Sequence, residues 1–150
     1  IALNRIYALF MEFLMFIYDI CERRRNMKDH FPTHHEKITH DILRYIDHHY
    51  LKEIKLKMLE NEFHLDKNHL SKIFFETTGI RITDYLHHRR INQARVMLSS
   101  KNKKRSILSI AFETGFKSHS HFYRVFKRLT GFTPHQYRKL YAQSNSSTSM

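Results

Sequence analysis

The chain has little that would build turns or cross-links. Its 150 residues include three Gly, two Pro and one Cys. So few Gly and Pro leave little material for β-hairpins, and the abundance of Leu, Ile, Phe and Lys favours helices, making an all-α fold the expectation. The lone Cys21 excludes an intramolecular disulfide, fits a reducing compartment and reads as a small buried apolar residue. Acids are scarce in one half. Residues 86–150 hold thirteen Lys or Arg against the single Glu113, whereas residues 31–85 hold eight against nine acids. The formal charge of +12 points to a polyanionic partner, nucleic acid or an anionic membrane surface, with the second half supplying the field. No Gly-rich phosphate loop, nucleophile motif or paired-acid constellation occurs, so an enzyme is not expected.

Long hydrophobic runs are also missing. Residues 6–18 are mostly apolar, but Glu12 interrupts them and Arg5 and Asp19 bound them, which is too short for a bilayer span. No small-residue cleavage site follows, as a signal peptide would require. Arg5, Glu12 and Asp19, spaced by seven, lie on one narrow stripe of a helix apolar nearly all round. Such a helix needs burial by an upstream domain, a second copy of itself, or both, so a homodimer through residues 1–20 is one of the expected partnerships, with no membrane. The first residue is Ile1 and not Met, so a piece of a longer protein is expected. The thirteen His include the pairs His34-His35, His48-His49 and His87-His88. Members of a pair diverge by about 100° on a helix, and no Cys or carboxylate completes a ligand spacing. No metal and no cofactor are expected, and the His read as covering solvated helix faces.

What the chain does have is a repeat. His69-Leu-Ser-Lys-Ile-Phe74, Thr78-Gly79 and Tyr85 recur fifty-two positions later as His121-Phe-Tyr-Arg-Val-Phe126, Thr130-Gly131 and Tyr137. Upstream, Leu56, Leu59, Phe63 and Leu65 are answered by Ile107, Ile110, Ala111 and Phe116 at an offset of fifty-one, so the second copy carries one extra residue between its helices. Each copy reads as two short helices joined by a turn, over about 54–79 and 106–131. Before the first copy, Ile38, Ile42, Tyr45, Ile46 and Tyr50 keep helical spacing over 34–50. Between the copies, residues 83–99 form a connector helix on which Tyr85, Leu86, Ile91, Ala94, Val96 and Leu98 face two sides. Asp66, Ser106, Ser118 and Thr133 are expected N-caps, with Pro134 at the first position of a last helix. Gly79 and Gly131 stop the helices before them, and Gly115 permits the turn. The polar tail 144–150 is expected to be disordered.

These residues resemble the DNA-binding domain of the AraC/XylS family of bacterial transcription regulators. The second copy carries the more specific signature: Ile110-Ala111, Gly115-Phe116, Ser120, Phe122, Arg124, Phe126-Lys127, Gly131, Thr133-Pro134 and Tyr137-Arg138. The connector matches as Tyr85-Leu86, Arg90-Ile91, Ala94-Arg95 and Leu98. The likeness runs from about 36 to 140, and residues 1–30 resemble the last helix and linker of an upstream sensing and dimerising domain. Glu60 departs from the family's usual small residue, and Phe75 stands where the family and the second copy have Lys, which removes a phosphate contact.

The resemblance implies a cytoplasmic, sequence-specific regulator of transcription, an activator that contacts RNA polymerase. Within each helix-turn-helix the second helix enters the major groove. The expected base-reading residues are Lys67, Asn68, Ser71 and Lys72 in the first copy and His119, Ser120, Tyr123 and Arg124 in the second. Asn suits adenine, and Lys and Arg suit guanine. Lys101, Lys103, Lys104, Arg105 and Lys127 are expected on phosphates, with Ser106 adding a helix-terminal N–H. A connector of roughly seventeen residues is about 25 Å long, suited to hold two recognition helices near the ~34 Å repeat of the groove. The competing reading is a basic helical module that binds nucleic acid or anionic membrane without sequence preference.

Overall fold

A computed structural model describes residues 33–100 and 105–144 of the protein. Among them are seven helices and no strand: α1 (His34–His49), α2 (Leu56–Phe63), α3 (Lys67–Thr78), α4 (Ile82–Ser99), α5 (Ile107–Glu113), α6 (His119–Thr130) and α7 (Pro134–Ser144). The all-α, tandem helix-turn-helix arrangement expected from the repeat is the observed one, with α2 and α3 forming the first pair and α5 and α6 the second. The apolar stretch 1–20 and the tail from 145 lie outside the described residues; Ser144, expected in the tail, is the last residue of α7.

The helix ends follow from capping chemistry. The Asp66 carboxylate accepts from the N–H groups of Asn68 and His69, at 2.8 and 3.3 Å. Ser106 Oγ accepts from Ser109 N–H at 2.9 Å, and Ser118 Oγ from His121 N–H at 3.4 Å. Thr133 and Gln136 form a reciprocal capping box, the Gln136 N–H donating to Thr133 Oγ1 and the Thr133 N–H to Gln136 Oε1. These bonds occupy donors that a helix start otherwise leaves open.

Two apolar cores form, one per repeat. Ile38, Ile42 and Ile46 of α1 pack with Leu59, Leu70, Ile73 and Phe74, and Ile82 and Leu86 of α4 close that cluster. Ile91, Ala94 and Leu98, further along α4, pack with Ile107, Ile110, Ala111, Phe116, Phe122, Val125 and Phe126. The connector therefore belongs to both cores, and with eighteen residues it is about 27 Å long. Val96, expected on one of its packed faces, is 66% exposed and lies outside both cores. The expected match of Phe63 with Ala111 is also corrected. At the offset of fifty-one Phe63 corresponds to Thr114, which is fully buried because its hydroxyl donates to the Ile110 and Ala111 carbonyls of its own helix. A polar side chain thus occupies a core position with its donor satisfied.

Replacing Asp66 with Ala should lower unfolding free energy by about 1 kcal/mol, read from the shift of a urea midpoint. Asp66→Asn should retain most of it, since Asn caps as well as Asp. Equal losses in the two variants would assign the effect to charge instead of the cap.

Candidate nucleic-acid interface

Helices α3 and α6 bury corresponding sides, Leu70, Ile73 and Phe74 in the first and Phe122, Val125 and Phe126 in the second. Their outward sides are what remains for a partner. Lys67, Asn68 and Lys72 are exposed on α3, and His119, Ser120 and Arg124 on α6. The expected residues thus share one face of each helix, except that Ser71 and Tyr123 are half-buried. Ser71 donates its hydroxyl to the Lys67 carbonyl at 2.7 Å. Tyr123 packs its ring against His119 at 4.3 Å and His135 at 6.2 Å, and burial pushes its pKa up.

This one exchange gives the two faces different relief. Beside the small Ser71, a cavity of about 400 Å3 opens between Leu56, Lys72, Phe75, Arg81 and Ile82. In the second copy the Tyr123 ring stands at the corresponding position. Phe75, where the second copy has Lys127, is 53% exposed. Glu60 turns to Lys57 of its own helix, at 2.9 Å, while Leu59 beside it is fully buried.

The cations differ in how far other residues of the chain engage them. Arg124 and Lys127 have no carboxylate partner among the described residues, and the Lys72–Glu76 contact is long at 3.9 Å. Arg105, expected on phosphate, lies 3.1 Å from Glu113, which also accepts from Ser109 Oγ. The Ser106 hydroxyl is committed to its cap. Lys101, Lys103 and Lys104 lie outside the described residues. Among those described, no three His, Cys, Asp or Glu side chains are grouped to hold a metal ion, and no helix is long and apolar enough to cross a membrane.

A profile for a helix-turn-helix domain matches residues 59–140. The chain belongs to the AraC-type helix-turn-helix family. This AraC-type chain is 32% identical over 119 residues to the melibiose operon regulatory protein of Escherichia coli strain K12, covering 79% of the chain but 39% of that relative. Among solved structures, a Listeria innocua protein of unknown function is 37% identical, with a TM-score of 0.63 over 67% of this chain and 94% of that one. The DNA-binding domain of AdpA, solved in complex with a target DNA, shares the fold at 21% identity and a TM-score of 0.64, over 71% of this chain and 94% of its own. The AraC-type region is thus a DNA-binding domain of transcription regulators, not an enzyme domain.

Several polar contacts had no simple signal in the repeat. Asp47 at the end of α1 lies 2.6 Å from Arg89 Nε, though the N–H is not directed at it, and accepts weak bonds from the Tyr85 hydroxyl. Asp84 accepts from Arg128 of α6 at 3.2 Å. The expectation that the His cover solvated faces fails at His87. Its ring stacks on Phe116, with centroids 6.1 Å apart, meets His121 edge-on at 5.1 Å, and leaves Nδ1 buried without a partner. Burial first, then His121, Arg128 and Arg90, push the His87 pKa down, with Asp84 opposing; burial, Arg124, Arg90 and Arg128 do the same to His121. The pattern could not reveal this, because the contact joins residues from three separate segments.

Both rings take up a proton less readily in the folded chain than in the unfolded chain, where they titrate near 6.5. Their contribution to stability is complete above that pH and falls away as pH drops below it, because the unfolded state then takes up protons that the folded state refuses. The melting temperature should fall more between pH 7 and pH 5 for the parent chain than for the variant combining His87→Gln with His121→Gln. Parallel profiles would exclude this pair as a source of acid sensitivity.

Proposed function

We propose that the protein is a sequence-specific DNA-binding regulator in which α3 and α6 read two successive major grooves. The observation that carries this reading is the pair of outward faces, Lys67, Asn68, Ser71 and Lys72 on one helix and His119, Ser120, Tyr123 and Arg124 on the other, borne by cores that share one connector. A helix of about 27 Å suits the ~34 Å groove repeat. Arg124 offers a two-pronged donor for guanine and Asn68 a donor-acceptor pair for adenine. Lys127 and Arg105, with Lys101, Lys103 and Lys104, position the domain on phosphates, and the N–H of Ser106 at a helix start adds to them. The faces differ in chemistry, so one chain reads an asymmetric site.

The chain spans 39% of the length of the melibiose operon regulator, so what the whole protein senses and assembles with extends this proposal. Residues 1–30 are read as the end of an upstream regulatory domain, with residues 1–20 pairing two copies, and residues 31–143 as the DNA-binding domain. Activation through contact with RNA polymerase, in the cytoplasm, is the role in keeping with the resemblance.

Selection from random duplexes at a stated salt concentration tests this reading. The chain should enrich an asymmetric motif in two blocks about one helical turn apart. Arg124→Ala should weaken binding by about 1–3 kcal/mol and relax preference in one block alone. Salt-sensitive binding without an enriched motif would replace the proposal with a non-specific basic module.

A further inference from the structure

The link between α1 and α2 leads into the first repeat, yet it rests against the turn of the second. Arg90 stands at this contact on α4, between the residues that enter the first core and those that enter the second, and is only 8% exposed. Its Nε donates to the Tyr50 carbonyl at 2.7 Å and its Nη2 to the Lys52 carbonyl at 2.8 Å. The guanidinium also lies over the Phe116 ring, 5.7 Å from its centroid. Both carbonyls follow the C-terminus of α1, where a cation is favoured and chain oxygens need donors.

Two further residues of the second turn complete the contact. Gly115 has φ +90°, and a Cβ there would come within 2.7 Å of the Tyr50 oxygen and 2.9 Å of the Leu51 oxygen. The corresponding turn of the first repeat holds its positive φ with His64, which shows that a left-handed turn alone does not demand Gly. At Gly115 the approach of the α1–α2 link's backbone demands it as well. The next contact uses Lys117, the one residue that the second copy has in excess of the first. Its ammonium is 2.6 Å from Glu53 and holds that carboxyl below its usual pKa.

We infer that Arg90, Gly115 and Lys117 form a clamp that sets the separation and twist of the two recognition helices, and thereby the spacing between DNA blocks that the protein accepts. This rests on the two-groove reading above. Arg90 acts as a positioning residue, since it is buried and its Nε and Nη2 donate to backbone carbonyls within the protein. Lys keeps the charge but lacks the planar fork that serves two carbonyls at once and stacks on Phe116. The excess residue in the second turn then has a use that loop tolerance alone does not supply, because it reaches across to the link that leads into the first repeat.

Two measurements on the full chain separate the clamp from the reading on which it rests. Without DNA, distances between spin labels at Glu62→Cys and Lys139→Cys, with Cys21→Ser, should form a narrow distribution that Arg90→Lys broadens. On duplexes carrying the two selected blocks with the gap varied one base pair at a time, the parent should lose about tenfold per step from its optimum, and Arg90→Lys only about threefold. Lys117→Gln, an exposed change that spares the cores, should flatten the profile in the same direction. The profile is a ratio across spacings, so a lost charge or a smaller folded fraction scales every point alike. An unchanged distance distribution in Arg90→Lys, or parallel spacing profiles, overturns the clamp while leaving the two-groove reading intact. A parent chain with no spacing preference overturns both.

Discussion

A helix buried on two sides is the constraint on which the rest of this domain depends. Ile82 and Leu86 of α4 close one core, and Ile91, Ala94 and Leu98 help to build the other. The helical period of 3.6 residues decides which direction each set faces, so the register of apolar residues along α4 orients one core relative to the other. A short flexible linker with the same two cores would leave their mutual orientation free. Burying each of the larger apolar side chains contributes about 1.5–3 kcal/mol, so rotating the connector out of register would forfeit several such terms at once. Polar contacts then supplement that orientation. Arg90 holds the α1–α2 link, Asp84 holds Arg128 on α6, and Glu53 holds Lys117.

The two repeats keep one scaffold and fill it differently. Matching apolar positions on α3 and α6 enter the cores, and matching Gly residues follow both helices. Around that frame, Ser71 opposes Tyr123, Phe75 opposes Lys127, Glu60 opposes Ala111, and His64 opposes Gly115. Core positions have few alternatives because volume and polarity are both constrained, whereas the outward positions are limited mainly by solvation. The consequence is a pair of faces with the same placement and unlike chemistry, one with a shallow apolar cavity and the other with an aromatic ring. An asymmetric ligand suits such a pair better than a palindromic one.

Much of the candidate interface was legible because it is local. A helix face is defined by residues three and four apart, so Asn68 and Lys72, or Ser120 and Arg124, fall together once the helix is placed. Half-burial of Ser71 and Tyr123 was not legible, since it depends on what the following helix sets beside them, as His135 does for Tyr123. Nor was the engagement of Arg105 by Glu113, eight residues away. Composition counted Arg105 among the free cations, and only side-chain geometry shows how much of its charge a neighbour already meets.

By itself the sequence determined the helices, their caps, the repeat and the apolar side of each element, because capping bonds and helical periodicity act over a few residues. Tertiary structure decided what happens where distant segments meet: the burial of Arg90 on two carbonyls about forty positions away, the His87–Phe116–His121 stack, and the close approach at Gly115. Those contacts join residues whose separation along the chain carries no period. A guanidinium, an imidazole or a missing Cβ acquires its role there only when packing removes water and brings a particular partner within reach.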